Sequence, residues 1–290
     1  MELACQAGPP CASMDAMDKY RDANQRIWND WTRHHVRSAF SDVEGFRKGQ
    51  RAGRTALDAM EKAALGDVDG KSLLHLPCHF GLDTLFWARQ GARVTGVDFA
   101  EDAIREARGL AAELGLPATF VHSDVYDLPR HLDGTFDIVF TSHGVLPWLP
   151  DLERWAQVIA LFLRPGGLFF IIEAHPFAQV FDDERSDREL RPRYPYFPRP
   201  EPMRSEGAGS YAVPDAPMRS VTYQWPHSIG EILTAIAGAG LRIESLEEYP
   251  FAAWTIFPWL EGRPDGLWQF PSGEAIVPLM FALKATKPAE

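Results

Sequence analysis

The chain has 290 residues and a mass of 32.5 kDa, with 46% apolar and 12% aromatic residues. That is ample material for a buried core and excludes wholesale disorder. Its 29 Lys+Arg against 40 Asp+Glu leave a net charge of −11, which repels phosphate backbones and argues against a nucleic-acid partner. Three cysteines, Cys5, Cys11 and Cys78, are too few for a disulfide framework and fit a reducing cytosol. No apolar run reaches the roughly 18 residues of a membrane span. The opening MELACQAGPPCASM lacks the basic and long apolar regions of a signal peptide, so the reading is cytoplasmic.

Residues 1–66 read as an N-terminal helical cap whose first 16 residues are frayed. Tyr20 to Gly53 is polar and helix-prone, studded with Trp28, Trp31, Phe40 and Phe46. Thr55 to Leu65 is a further helix, with Leu57, Met60, Ala64 and Leu65 on one face and Gly66 as its stop. From 67 to 290 the rhythm changes. Strands are expected at Leu73–Leu76, Arg93–Val97, Thr119–His122, Phe136–Thr141 and Leu168–Glu173. Helices are expected from Leu82, from Glu101 to Leu114, and through Leu152, Trp155, Ile159 and Phe162. Strands alternating with helices predict an α/β fold whose parallel sheet is covered on both faces.

Residues 176–226 break this pattern. Nine of the 23 prolines and seven arginines fall there, with no lysine, which predicts an insertion rather than a core helix. Order resumes at Ser228, where Ser228 and Glu231 have capping-box spacing. Leu241–Glu247 and Ile276–Ala285 read as two closing strands.

Open parallel sheets bind ligands beyond the carboxyl ends of their strands. Asp98 ends the second strand about 20 residues after the first strand–helix turn, where a carboxylate can accept two hydrogen bonds from a ribose diol. Capping the following helix is its bland alternative. Asp124 stands likewise after the third strand, with a turn cap as its alternative. The first turn, HLPCHFG, lacks G-x-G-x-x-G. Pro77 and His79 stand where glycines would be, Pro77 has no N–H for phosphate, and Gly81 alone remains. That argues against a nicotinamide or flavin dinucleotide and tolerates a nucleoside without phosphate.

With these residues in place, the run LLHLPCHFGLDTLFWARQGARVTGVDFAEDAI resembles the first two motifs of class I S-adenosylmethionine-dependent methyltransferases. HSDVYDLP, FDIVFTSHGVLPWLPDLERW and LRPGGLFFIIE resemble the later ones. The resemblance covers 71–173 well and 228–286 loosely. It implies a Rossmann-like seven-stranded sheet with an antiparallel last strand, an N-terminal helical cap, and the 176–226 insertion as a lid. It implies S-adenosylmethionine as cofactor, with Asp98 on the ribose, Phe99 on the adenine face, Asp124 near the adenine amino group and the Val125 backbone beside the ring. His75, Pro77, Gly81 and Asp83 in the first turn, with Tyr126, Ser142 and Trp31, complete the expected contacts. Two departures stand out. His75, Pro77 and His79 replace the family's strand-end acid and G-x-G, leaving Asp83 as candidate replacement for the missing carboxylate. Ala100 forfeits the usual helix cap.

The implied function is methyl transfer to an oxygen or nitrogen of a small-molecule acceptor, by a monomer or homodimer without a metal. His143 is the first candidate base and His175 the second. A non-catalytic module binding S-adenosylmethionine or its demethylated product is the first alternative, and a nicotinamide oxidoreductase the second. Tyr194, Tyr196 and Phe197, with Arg191, Arg193 and Arg199, form an aromatic and cationic cluster that either receives an anionic or planar substrate or is a solvated arm or dimer contact.

Overall fold

The computed structural model describes residues 14–51 and 54–289. Cys5, Cys11 and residues 1–13 of the expected frayed stretch lie outside the described residues; Met14, Asp15 and Ala16 fall within the first helix. The helix-prone N-terminus divides into α1 (Met14–His35) and the short α2 (Val43–Arg47). Asp42, in the left-handed region at φ 42°, separates them and caps α2 by accepting from the Gly45 N–H at 3.0 Å. Then α3 (Thr55–Leu65) ends at Gly66, as the spacing predicts.

The α/β unit runs β1 (Ser72–His75), α4 (Leu82–Arg89), β2 (Arg93–Asp98), α5 (Glu101–Leu114), β3 (Ala118–His122), β4 (Phe136–Thr141), α6 (Leu152–Phe162) and β5 (Leu163–Ala174). β5 begins five residues before the expected Leu168 and takes in Pro165–Gly167, where its register against β4 jumps. The insertion holds a hairpin, β6 (Met203–Ala208) and β7 (Arg219–Gln224), that the sequence pattern did not show. After α7 (Ile229–Gly238) and β8 (Arg242–Tyr249) comes a second unforeseen element. Here β9 (Phe251–Ala252), β10 (Glu261–Gly262) and β11 (Trp268–Gln269) form a small antiparallel sheet. The last strand, β12 (Met280–Thr286), starts later than expected, leaving Ile276 exposed.

The main sheet has seven strands in the order β3-β2-β1-β4-β5-β12-β8. All neighbours are parallel except β12, antiparallel to β5 and β8. Both faces are buried because alternate strand residues are apolar on each side. Leu73, Ile138, Phe140 and Phe170 pack with residues of α3, α4 and α5. Leu74, Val139, Phe169 and Ile171 pack with residues of α6 and α7. Strand order reverses between β1 and β4, which places a ligand crevice at their carboxyl ends.

Candidate cofactor cleft

The first turn keeps its glycine geometry without most of its glycines. His79 holds a left-handed backbone, φ 51°, where L side chains are uncommon. Gly81, at φ 82°, opens α4, and a Cβ there would lie 2.8 Å from the Phe120 ring. That close approach, not a phosphate, is what the glycine serves. The His79 N–H points to β2 and donates to Asp98 Oδ2 at 2.7 Å; the Ala100 N–H donates to Oδ1 at 2.8 Å. Asp98 is thus fixed at the strand end with a second lone pair on each oxygen. Burial pushes its carboxyl up to about 6, against the lowering effect of both backbone bonds. The capping alternative for Asp98 holds in part, since the Ala100 bond belongs to the entry of α5.

Asp124 accepts the Tyr126 N–H at 2.8 Å through Oδ1, a turn cap that leaves Oδ2 without a bond; burial raises its carboxyl. Val125 is buried against the α6 layer and Phe99 is half-buried. The Phe99 carbonyl accepts from Gln25 of α1 at 2.5 Å. The forfeited cap at Ala100 is replaced from outside: Asn29 Oδ1 of α1 accepts the Asp102 N–H at 2.8 Å.

Other expected contacts are engaged with protein. His75 is buried, with Nδ1 2.8 Å from Thr84 Oγ1 and Nε2 2.9 Å from Ser142 Oγ. Burial lowers its ring to about 4, so it bridges β1, α4 and the end of β4 as a neutral group. Ser142 is thereby also taken through its hydroxyl. Tyr126 is drawn away from the crevice: its hydroxyl donates to the Asp151 carbonyl and accepts the Asp151 N–H, both at 3.0 Å, pinning the start of α6. The Trp31 indole donates to Ser220 Oγ of β7 at 2.9 Å and joins the cap to the insertion. Asp83 accepts from Arg51 at 2.5 Å and lies 3.1 Å from Arg54, and these guanidinia hold its carboxyl far below the usual range.

The two candidate bases differ. His143 Nε2 lies 3.3 Å from Glu61 Oε1 of α3. In His175, Nδ1 accepts the Phe177 N–H at 3.0 Å and Nε2 lies 2.8 Å from Glu248, so no lone pair is left to take a proton. Glu173, also at the end of β5, accepts four backbone N–H groups, from Gly144, Val145, Leu146 and Ala174. It anchors the loop after β4. In the insertion, Arg191 pairs with Glu189 and Arg193 with Asp182 and Glu184. Tyr194 donates to Asp183, and Phe197 is 72% exposed, the solvated-arm arrangement.

Over the crevice, α1 and the insertion lock together. Asn24 exchanges hydrogen bonds with the Tyr223 backbone at 2.7 and 2.9 Å, and His35 lies 2.8 Å from Ser210 Oγ. Trp28 stacks edgewise on His79, Trp31 and Trp148 at 5.1 to 5.2 Å between centroids. Trp31, the one cap aromatic expected among the cofactor contacts, packs with Trp28 in this roof.

Residues 73–167, about a third of the chain, match the model of a family described as a methyltransferase domain. The ubiquinone biosynthesis O-methyltransferase of Photorhabdus laumondii is 31% identical over 136 residues, 47% of this chain and 56% of that protein. Its counterpart from Chromobacterium violaceum is 32% identical over 125 residues, 43% of this chain and 53% of that one. The chain therefore spans about half the length of the curated relatives it matches. An S-adenosylmethionine-dependent methyltransferase structure from Mesorhizobium loti is similar with a TM-score of 0.54 at 20% identity, over 81% of this chain and 98% of the other. The [4+2]-cyclase SpnF is similar with a TM-score of 0.52 at 17% identity, over 98% and 100%. These structural likenesses establish the fold. The architecture is that of a Rossmann-like methyltransferase sheet. Over its central segment the chain matches a methyltransferase-domain family, and its fold is shared with S-adenosylmethionine-dependent methyltransferase structures.

Proposed function

We propose that the chain transfers the methyl group of S-adenosylmethionine to an oxygen or nitrogen of a small-molecule acceptor. The observation that carries this reading is Asp98. It is a buried carboxylate at the end of β2, held by two backbone N–H groups, with lone pairs left to accept from a ribose diol and a first turn unsuited to pyrophosphate. Asp124 Oδ2, the Val125 backbone and the Phe99 ring are the groups that would hold the adenine. The bound cofactor supplies an electrophilic methyl carbon and a sulfonium leaving group.

The protein's part is alignment and exclusion of water. Glu173 fixes the loop after β4, and the interlocked α1 and β6–β7 hairpin cover the crevice. His143 is the base for an acceptor that arrives protonated. The charge of −11 favours a small acceptor over nucleic acid.

A second reading is supported by the engaged His75, which leaves no carboxylate at the end of β1. On that reading the chain binds the cofactor or its product without turnover. Incubation with methyl-labelled S-adenosylmethionine and a panel of phenols and amines separates the two. Acceptor-dependent release of S-adenosylhomocysteine is the expected result. Tight cofactor binding with no release for any acceptor favours the binding module.

A further inference from the structure

A buried ionic basin lies under α3 and joins residues before the segment that matches the family model to two residues within it. It joins Arg51 and Arg54, which precede or open α3, to Asp58 and Glu61 of α3, Asp83 of α4 and His143 after β4. Glu61 is fully buried, and neither carboxylate oxygen has a hydrogen-bond partner. Arg51 Nη1, Arg54 Nε and Nη2, and Asp58 Oδ1 are likewise buried without one. Arg54 Nη2 stays 3.6 Å from Glu61, an ion pair without a hydrogen bond. Buried charges in this condition are costly, and each calls for a partner.

The unmet groups are of two kinds. Guanidinium N–H donors want an anion; Glu61 wants a donor. Two guanidinia meet three carboxylates, and His143 Nε2 lies 3.3 Å from Glu61 without a hydrogen bond. An α-amino-acid zwitterion answers both needs: its ammonium has three N–H donors and its carboxylate accepts bidentate guanidinium bonds. The basin adjoins the end of β1, since His143 follows Ser142, whose hydroxyl contacts His75. His75 has both ring nitrogens engaged, and Asp83 is already paired with Arg51 and Arg54. Neither is free to take an ammonium.

We infer that Glu61 receives the ammonium of the cofactor's amino-acid end, with the unpaired N–H groups of Arg51 and Arg54 facing its carboxylate. The contact that β1 has given up is supplied by α3. This rests on the cleft being the S-adenosylmethionine site described above. The same zwitterion chemistry is found in a free amino-acid acceptor, so the test separates the two sources.

Calorimetry compares S-adenosylhomocysteine with 5′-methylthioadenosine, which keeps the adenosyl group and sulfur but lacks the amino acid. The wild type is expected to bind S-adenosylhomocysteine at least 10-fold more tightly. Glu61→Gln is expected to lose that advantage while its affinity for methylthioadenosine stays within about 2-fold. Where Glu61→Gln does not fold, the wild-type ratio and Arg54→Lys, expected to weaken S-adenosylhomocysteine alone, carry the test. Equal wild-type affinities overturn the assignment while leaving the cleft intact, as does equal weakening of both ligands by Glu61→Gln. A free amino acid binding alongside S-adenosylhomocysteine overturns it too, by giving the basin to an acceptor. If the wild type binds neither nucleoside, the reading of the cleft itself fails.

Discussion

Asp98 sits at a balance between desolvation and its two backbone donors, and desolvation wins. Its folded pKa of about 6 lies above the unfolded carboxylate value of about 3.9. The sign follows from linkage: the protonated acid favours the fold, that contribution is complete below about pH 4, and it is lost as pH rises through about 6. Binding of a ribose runs the other way, because the diol needs the carboxylate as acceptor. Affinity for S-adenosylhomocysteine should therefore fall as pH drops below 6. Calorimetry from pH 7.5 to 5 checks this, with His122 nearby as the other group to control by substitution; a flat profile contradicts it. For His143, replacement by Ala should lower the rate of methyl transfer by roughly 10²-fold, the scale of a lost general base. Steady-state rates across pH are the measurement, and unchanged turnover removes His143 from that role.

At this scale the sequence was informative where position alone defines chemistry. The strand-end placement of Asp98 and Asp124 was legible because each follows a short apolar strand run. The engagement of His75 with Ser142, or of Trp31 with Ser220, was not, because it depends on partners 67 and 189 residues away. Glu61 was missed for the opposite reason. It lies within an amphipathic helix pattern, where an acid reads as solvated, yet the neighbouring arginines bring it inside.

Among the elements, the cap and the sheet are joined at the start of α5. Ala100 offers no side-chain cap, and Asn29 of α1 accepts the Asp102 N–H in its place. Replacing Asn29 by Ala should destabilise the protein by about 1 kcal/mol, the usual worth of an N-cap. Denaturant unfolding followed by circular dichroism measures it; a change below a few tenths would mean that water caps α5 equally well. The strands and helices between 72 and 174 were readable because each is a continuous apolar or amphipathic run bounded by turn residues. The β6–β7 hairpin was not, since MRSEGA presents hardly any buried face and the hairpin is held to α1 by Asn24 through the Tyr223 backbone of β7. The β9–β11 segment hides its core role in scattered aromatics: Phe257, Trp259 and Phe270 are buried, but no period of two or of 3.6 connects them.

The whole molecule is built on a mostly parallel sheet whose carboxyl edge is roofed by parts distant in sequence. Trp31 and Asn24 tie α1 to β7, and Trp28 ties it to the first turn and to Trp148. Such a roof must open for a ligand to enter, so α1 and the hairpin should open together. Hydrogen exchange should show residues 203–224 gaining protection when S-adenosylhomocysteine binds. Trp31→Phe, which keeps the ring but removes the bond to Ser220, should speed exchange in that hairpin without affecting β1 or β4. Uniform change across the sheet would argue against a separable roof. Among the described residues no helix is long and apolar enough to cross a membrane.

The central claim is that a single buried acid at the end of β2 grips the sugar of a phosphate-free nucleoside. Titration of S-adenosylhomocysteine into the wild type and into Asp98→Ala tests it directly. Loss of charged hydrogen bonds, about 1.5–3 kcal/mol, predicts at least a 10-fold weaker affinity in the variant. Equal affinity in the two proteins would contradict the account.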